Sequence, residues 1–350
     1  MGPIHVYCIA EDSGTLAIGP LGTSPLESPT KVAADGLACV IGPCPGADAS
    51  PLPKDELVRR LLVHQRVVEH VMRARAVLPV KFGTVLRSSQ EALDLLAQGR
   101  QQFLGALESL SDKVEIEVAA TWDLDLALRE TGAEEEVMRA RQALSQPPTL
   151  EDKLRLGQVV KACLDRRRNS FRLRMVSLLQ PLALGVVQHA LLTDRLVMNV
   201  AFLLERAILL QFEERVRRLD AMFDGQITFR VIGPLPPYSF STVEVTHIAQ
   251  DELERARCLL GIGQGISEAE VRLAYRRASA RLLRELDPRD RTVADRMAQV
   301  RRASDLLLAQ ARTDGGHCGE GRQSFAIRIR GAQEEDVDPA RFGQAAPIVA

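Results

Sequence analysis

The stretch from Leu78 to Leu86, reading Leu-Pro-Val-Lys-Phe-Gly-Thr-Val-Leu, constrains the fold more than any other part of the chain. Val80, Phe82 and the β-branched Thr84 alternate, which predicts a strand. Leu78, Val85 and Leu86 leave little room for water on either face, so the strand belongs inside a sheet. Pro79 has no N–H to donate and fits a strand's first position. Gly83 marks a bulge or the close approach of another group. The long amphipathic segment before it, 55–76, needs a sheet face to cover, and this strand supplies one.

Length then sets the domain count. A chain of 350 residues holds two domains and has room for a small third. Apolar residues make up 46% and aromatics 4%, so the cores are large enough to fold and mostly aliphatic. A net charge of −1 argues against a general nucleic-acid binder. None of Cys8, Cys39, Cys44, Cys163, Cys258 and Cys318 lies in a Cys-x-x-Cys pair, so no zinc or redox motif is present. The N-terminus lacks the basic and apolar regions of a signal peptide, and no stretch of about 18 apolar residues exists to span a membrane. Reduced thiols in a cytoplasmic protein are the expectation.

Taken in order, 4–10 reads as a strand and 11–29 as loop. Segments 31–34 and 37–41 read as a hairpin around Asp35-Gly36, the dipeptide of a type I′ turn. After a connector over 42–53 comes the helix 55–76, with Leu57, Leu61, Leu62, Val68, Val71 and Met72 at helical spacing. The strand 78–86 follows, then a helix to about residue 110 capped by Ser88 or Ser89. A second domain opens with the alternating strand 114–118, closed by Trp122. Helical sequence covers 124–144, is broken at Gln146-Pro147-Pro148-Thr149, and resumes over 151–187 with an interruption at Pro181. A buried strand is expected at 196–204, a helix at 206–223 stopped by Gly225, and a strand at 226–232. This order is a split βαβ arrangement with an inserted helical block. Residues 251–312 read as helical, 323–330 as a short strand and 333–350 as a tail. The expected class is α+β, with domains at 1–112, 113–248 and 251–312, and a tail at 313–350.

Several segments, in this order, resemble the gas vesicle protein F/L family. They are His64-Gln65, Val77 to Thr84, Val114-Glu115 with Trp122-Asp123, Asn199-Val200-Ala201-Phe202-Leu203, and Gly233-Pro234-Leu235-Pro236-Pro237-Tyr238-Ser239-Phe240. The resemblance spans roughly residues 4 to 245. One departure is Leu235, where the family often has tryptophan. The resemblance implies two α+β domains, the second ferredoxin-like, in a non-enzymatic gas vesicle structural or assembly protein. It implies binding to the small shell protein and to other accessory proteins, a cytoplasmic location and a place on the gas-facing side of the vesicle. It implies no cofactor, metal or catalytic residue. The positions it marks as structural or interacting are Pro79, Phe82, Gly83, Trp122, Asn199, Phe202, Gly233, Pro236, Pro237, Tyr238 and Phe240.

The third unit is similar to a J-domain hairpin. Leu259-Leu260-Gly261-Ile262 precedes Ser267 to Arg277, and Ser267 with Glu270 has capping-box spacing. Where a J-domain carries His-Pro-Asp, this chain reads Leu286-Asp287-Pro288-Arg289-Asp290. The missing histidine weighs against activation of an Hsp70-type chaperone, and the segment reads as a J-like hairpin reused for docking. Arg272, Arg276 and Arg277 are its candidate partner-facing residues, and a co-chaperone-like adaptor is the alternative function.

Other residues have plainer readings. His64 has no sequence-adjacent acid or nucleophile for catalysis, and is expected to hydrogen-bond to the sheet. Lys81 is expected to reach an edge or pair with a carboxylate. The Gly233–Phe240 segment has too few glycines for a phosphate loop and reads as a rigid turn seating Tyr238 and Phe240 against the other domain. Arg166, Arg167 and Arg168 read as a solvated helix face.

Overall fold

A computed structural model describes residues 2–12, 28–44, 53–263, 267–285, 291–313 and 324–331. The chain divides into two compact units, one joining Met1–Ser111 to Ser241–Gly331 and the other formed by Asp112–Phe240. The architecture is α+β, built from antiparallel sheets and the helices that cover them.

The first unit is built on β1 (Ile4–Glu11), which is buried along nearly its whole length. Along one edge it pairs with β3 (Leu37–Pro43), which hairpins back to β2 (Thr30–Ala34). The turn holds Asp35 at φ 50° and Gly36 at φ 83°, the left-handed pair that a type I′ turn requires. Along its other edge β1 pairs with β4 (Val77–Pro79) and β5 (Val85–Leu86). The expected continuous strand 78–86 is therefore interrupted. Val80 N–H still bonds to Tyr7 O at 3.0 Å and Val6 N–H to Thr84 O at 3.0 Å. Between them Lys81, Phe82 and Gly83 loop out, with Gly83 at φ 88°. The register between β1 and β3 also slips between Val6 and Cys8. Two irregularities thus meet at Tyr7, one on each edge of β1, and local sequence pattern cannot show such a coincidence.

The helices covering this sheet are α1 (Lys54–Met72) and α2 (Ser89–Ser109). Helix α1 buries Val63, His64, Val67, Val68, Val71 and Met72. Its early leucines depart from expectation, with Leu57 45% and Leu62 49% exposed. Ser88 caps α2, its side chain accepting from Glu91 N–H at 3.4 Å.

Past residue 240 the chain returns to this unit through β10 (Thr242–Ile248), a strand that the sequence pattern did not suggest. Its partner β11 (Ser324–Arg330) pairs with it in unbroken register. The looped-out segment also touches β10, through a parallel bridge from Val80 to Val243 and a bond from Lys81 N–H to Val243 O at 2.8 Å. Helices α7 (Gln250–Leu260), α8 (Glu268–Glu285) and α9 (Arg291–Thr313) share a core of Leu253, Leu260, Val271, Val300 and Leu307. They belong to the same compact unit as the first 111 residues. The expected loop 286–290 and tail 333–350 lie outside the described residues.

The second unit begins with β6 (Lys113–Trp122). The expected helix 124–144 is two helices, α3 (Leu124–Gly132) and α4 (Glu135–Gln142). Next comes α5 (Leu150–Leu179), opened by a reciprocal capping box between Thr149 and Asp152. A short 3-10 turn carrying Pro181 ends it. Residues 185–188, expected as helix, form β7 (Gly185–Gln188); beyond Pro181 the β-branched Val186 and Val187 favour a strand. Then follow β8 (Leu196–Glu205), α6 (Leu209–Phe223) and β9 (Ile227–Leu235). The sheet order is β7-β8-β6-β9, the ferredoxin-like βαββαβ topology with α3 and α4 added to the first crossover. Its core includes Trp122, Val200, Phe202, Phe212 and Val216. Burying Phe202 and Phe212 contributes about 2–3 kcal/mol each. No helix among the described residues is long and apolar enough to cross a membrane.

Candidate functional site

Strand alternation sends Ile116, Val118, Ala120 and Trp122 of β6 into the helix-covered core, and so turns Glu115 and Glu117 to the opposite face. A glutamate there would ordinarily meet water, yet Glu115 is fully buried. The Pro236–Phe240 corner accounts for this. Tyr238 N–H bonds to Pro236 O at 2.7 Å and Phe240 N–H to Pro237 O at 3.1 Å, which folds the corner tightly. Ser239 then donates its N–H to Glu115 Oε2 at 2.8 Å and its hydroxyl to Glu115 Oε1 at 2.7 Å. His189, just past β7, places Nε2 at 3.2 Å from Ser239 Oγ. Its backbone N–H is held by Asn199 O at 2.8 Å.

A serine, a histidine and a glutamate side by side invite comparison with a nucleophilic triad, in which histidine takes the serine proton. Here the shorter bond, 2.7 Å against 3.2 Å, takes that proton to Glu115. The carboxylate also holds the serine's own backbone. Ser239 is therefore a clamp on the corner, and the arrangement ties three distant pieces of chain together.

Of the marked positions, Gly233, Pro236, Pro237, Tyr238, Phe240, Asn199, Phe202 and Trp122 belong to this unit. Gly233 sits at φ 141°, and a Cβ there would lie 2.6 Å from Ile116 Cδ1 and 2.9 Å from Glu115 O. Only glycine fits so close to β6. Pro236 and Pro237 are buried and Tyr238 is half-buried. Phe240 lies on Gly185 of β7, where a Cβ would be 3.0 Å from its ring. Asn199 contributes its backbone carbonyl to His189, and Phe202 packs tilted against Phe212, ring centres 5.3 Å apart. Trp122 donates Nε1–H to Asp194 O at 2.8 Å and lies under the Arg168 guanidinium, 5.4 Å from its ring centre. The arginine run is thus more than a solvated face. Arg166 pairs with Glu136 and Arg167 with Glu130, joining α5 to α4 and α3. The segment 166–168 shows only its charge, and the carboxylates it meets lie a helix away.

The first unit holds a second buried polar cluster. Phe82, looped out of the strand, places its ring 5.6 Å from both His5 and His64. His5 Nε2 and His64 Nδ1 are 2.9 Å apart, so His64 bonds to the sheet through β1. Tyr7 closes the group, and its ring fills the space beside Gly42, where a Cβ would fall 2.7 Å from the Tyr7 hydroxyl oxygen. Burial pushes His64 down to about 3, with His5 adding to the effect, and pushes His5 down to about 4, with the Arg60 charge adding. Both rings are neutral near neutral pH. Nearby, burial drives the Cys39 thiol up to about 12 and raises Cys8 as well, so neither is a reactive thiolate. Pro79 is buried in β4, and Gly83 is exposed at the tip of the loop. Lys81 forms an ion pair with Glu244 at 3.0 Å, as a lysine leaving a sheet is expected to do.

In the helical part, Ser267 and Glu270 form the expected reciprocal cap, Ser267 N–H to Glu270 Oε2 at 2.9 Å and Glu270 N–H to Ser267 Oγ at 3.3 Å. Arg272, Arg276 and Arg277 are exposed on α8, with Arg272 paired to Glu268 at 2.7 Å. Sequence reasoning did not single out Glu115, Glu117, His189 or Ser239 as a group. Each lies in ordinary surroundings, and only the fold brings them together.

Comparison with known proteins gives consistent results. The family model described as gas vesicle synthesis protein GvpL/GvpF matches residues 3–242. Gas vesicle protein F of Streptomyces sp. (strain CB03234) is 29% identical over 243 residues, which covers 67% of this chain and 98% of that protein. Gas vesicle protein L of the same organism is 27% identical over 267 residues, covering 71% and 96%. The crystal structure of GvpF from Anabaena sp. PCC7120 superposes with a TM-score of 0.59 at 22% identity, over 68% of this chain and 97% of that one. That of GvpF from Microcystis aeruginosa gives 0.57 at 20% identity, over 68% and 98%.

Proposed function

The chain belongs to the gas vesicle GvpL/GvpF family, and from that premise we propose that it is a non-enzymatic assembly protein that grips the shell subunit and other accessory proteins. Its place is the cytoplasm and then the gas-facing side of the vesicle. The observation that carries this reading is the pair of end strands of the second unit's sheet, each of which has a strand partner on one side only among the described residues. Strands β7 and β9 are the end strands in the order β7-β8-β6-β9. On β9, Thr228, Arg230, Val231, Gly233 and Pro234 are exposed. An open edge offers backbone hydrogen bonds to an added strand without demanding one sequence. Exposed apolar side chains supply the other half of the grip. Leu150 is 75% and Leu154 61% exposed, one turn apart on α5, and both suit a very hydrophobic partner.

Co-purification of the full chain with the shell subunit tests the reading. Retention through washes of low and high salt supports it, because apolar and backbone contacts survive screening. Loss at every salt concentration overturns it. The exposed Arg272, Arg276 and Arg277 on α8 favour a second docking face, for which an Hsp70-type chaperone is the candidate partner. Stimulation of the chaperone's ATPase by this chain supports that role, and no stimulation counts against it.

A further inference from the structure

We propose that Glu115, Glu117 and His189 form a site for one divalent first-row transition metal ion, with zinc the best chemical match. The ligand atoms of the three side chains all lie within 4.8 Å of one another. Bonds of about 2.0–2.2 Å to zinc put ligand atoms about 3–4 Å apart, so small side-chain rotations close the site.

The fold supplies the rest of the arrangement. Glu115 and Glu117 stand two residues apart on β6 and share a face. Ala201 on β8 pairs with Glu117 on one side and with Val187 of β7 on the other. A side chain that small on the intervening strand lets residues of β6 and of the end of β7 approach one another. The ligands are also oriented from behind, as metal ligands characteristically are. Ser239 fixes Glu115 through two hydrogen bonds at 2.8 and 2.7 Å. The Ser239 hydroxyl, 2.7 Å from Glu115 Oε1 and 3.2 Å from His189 Nε2, also holds the imidazole beside the carboxylates.

Electrostatics and donor chemistry point the same way. Two carboxylates this close repel one another, and Glu115 is fully buried. A dication offsets both. A set of two carboxylates and one imidazole suits zinc, whereas magnesium favours oxygen ligands and keeps its water. The ion would pin the corner to the sheet without any part in a reaction. The inference stands apart from shell-subunit binding, since a chain that loads metal and one that does not can each be tested for that partner.

Calorimetric titration of the chelator-treated full chain with Zn²⁺ is the test, alongside E117Q and H189Q. One bound equivalent is expected, weakened at least tenfold in each variant, with no uptake of Mg²⁺ under the same conditions. Unchanged zinc binding in both variants, or no bound equivalent in the parent chain, overturns the proposal. Cobalt substitution of the parent chain decides the matter even if a variant misfolds. The expected spectrum has d–d bands of an oxygen and nitrogen ligand set. Sulfur-to-cobalt charge-transfer bands would place the ion on a cysteine, such as the exposed Cys258, and overturn the site.

Discussion

The two units each bury a polar cluster, and they stabilise it in opposite ways. In the first, His5 and His64 meet among Tyr7 and Phe82 and stay neutral. In the second, Glu115 is buried as a hydrogen-bonded acid, gripped by the backbone and hydroxyl of Ser239. Low-dielectric surroundings penalise charge, and a histidine escapes that penalty by losing its proton. A buried carboxyl group instead needs donors for its oxygens, so the chain must bring them. The neutral cluster depends on shape and pH, and the acid cluster on specific bonds.

Removing the acid should show the largest effect. Glu115→Ala leaves the Ser239 N–H and hydroxyl without their acceptor and opens a cavity, so a loss of about 4 kcal/mol is expected. Chemical denaturation monitored by Trp122 fluorescence reports it, because Trp122 lies in the same unit. A loss under about 1 kcal/mol would remove the clamp from the account.

Acid should strike the neutral cluster next. His5 and His64 titrate near 6.5 when unfolded and near 4 and 3 when folded. Their contribution is fully present above pH 6.5 and is lost as pH falls toward the folded values, since the unfolded chain takes up protons first. Between pH 6.5 and pH 5 the expected loss is on the order of 3 kcal/mol for the pair. Denaturation midpoints across this range measure it, and His64→Leu should flatten the slope. An equally steep slope in that variant would assign the pH response to other groups.

Smaller effects sharpen the picture of the corner. Gly233→Ala puts a Cβ against Ile116 and the Glu115 carbonyl, for an expected loss of about 2–3 kcal/mol. Ser239→Ala removes one of two bonds to Glu115 and should cost about 1.5 kcal/mol. Combined with Glu115→Ala, it should add almost nothing, because the partner is already gone. Full additivity of the two losses would show that they do not act through one another.

Much of this was legible in the residues, for reasons that can be named. Asp35-Gly36, the alternation of β6 and the caps at Ser88 and Ser267 are local signals, and each fell where expected. The split βαβ arrangement follows from the order of strands and helices, and the family from motifs spaced along the chain. The interruption of strand 78–86 was half legible. Gly83 announced an irregularity, but its extent is set by the slip at Tyr7 on a strand some seventy residues earlier. β7 was hidden behind Pro181 in a long helical pattern. β10 was hidden because its partner β11 lies far along the chain. The Glu115 clamp was the least legible of all. The acid sits in a strand that reads as half-exposed, and its donor and neighbour come from the corner at Ser239 and the end of β7 at His189.

In the proposed role, the end strands β7 and β9 of the second unit hold the shell subunit. Backbone hydrogen exchange of the full chain, alone and with saturating shell subunit, tests it most directly. Slowed exchange is expected along β9 or β7, with β6 and β8 unchanged because their hydrogen bonds are already made. Binding that leaves both end strands exchanging at their free rate, and protects other segments instead, would contradict it.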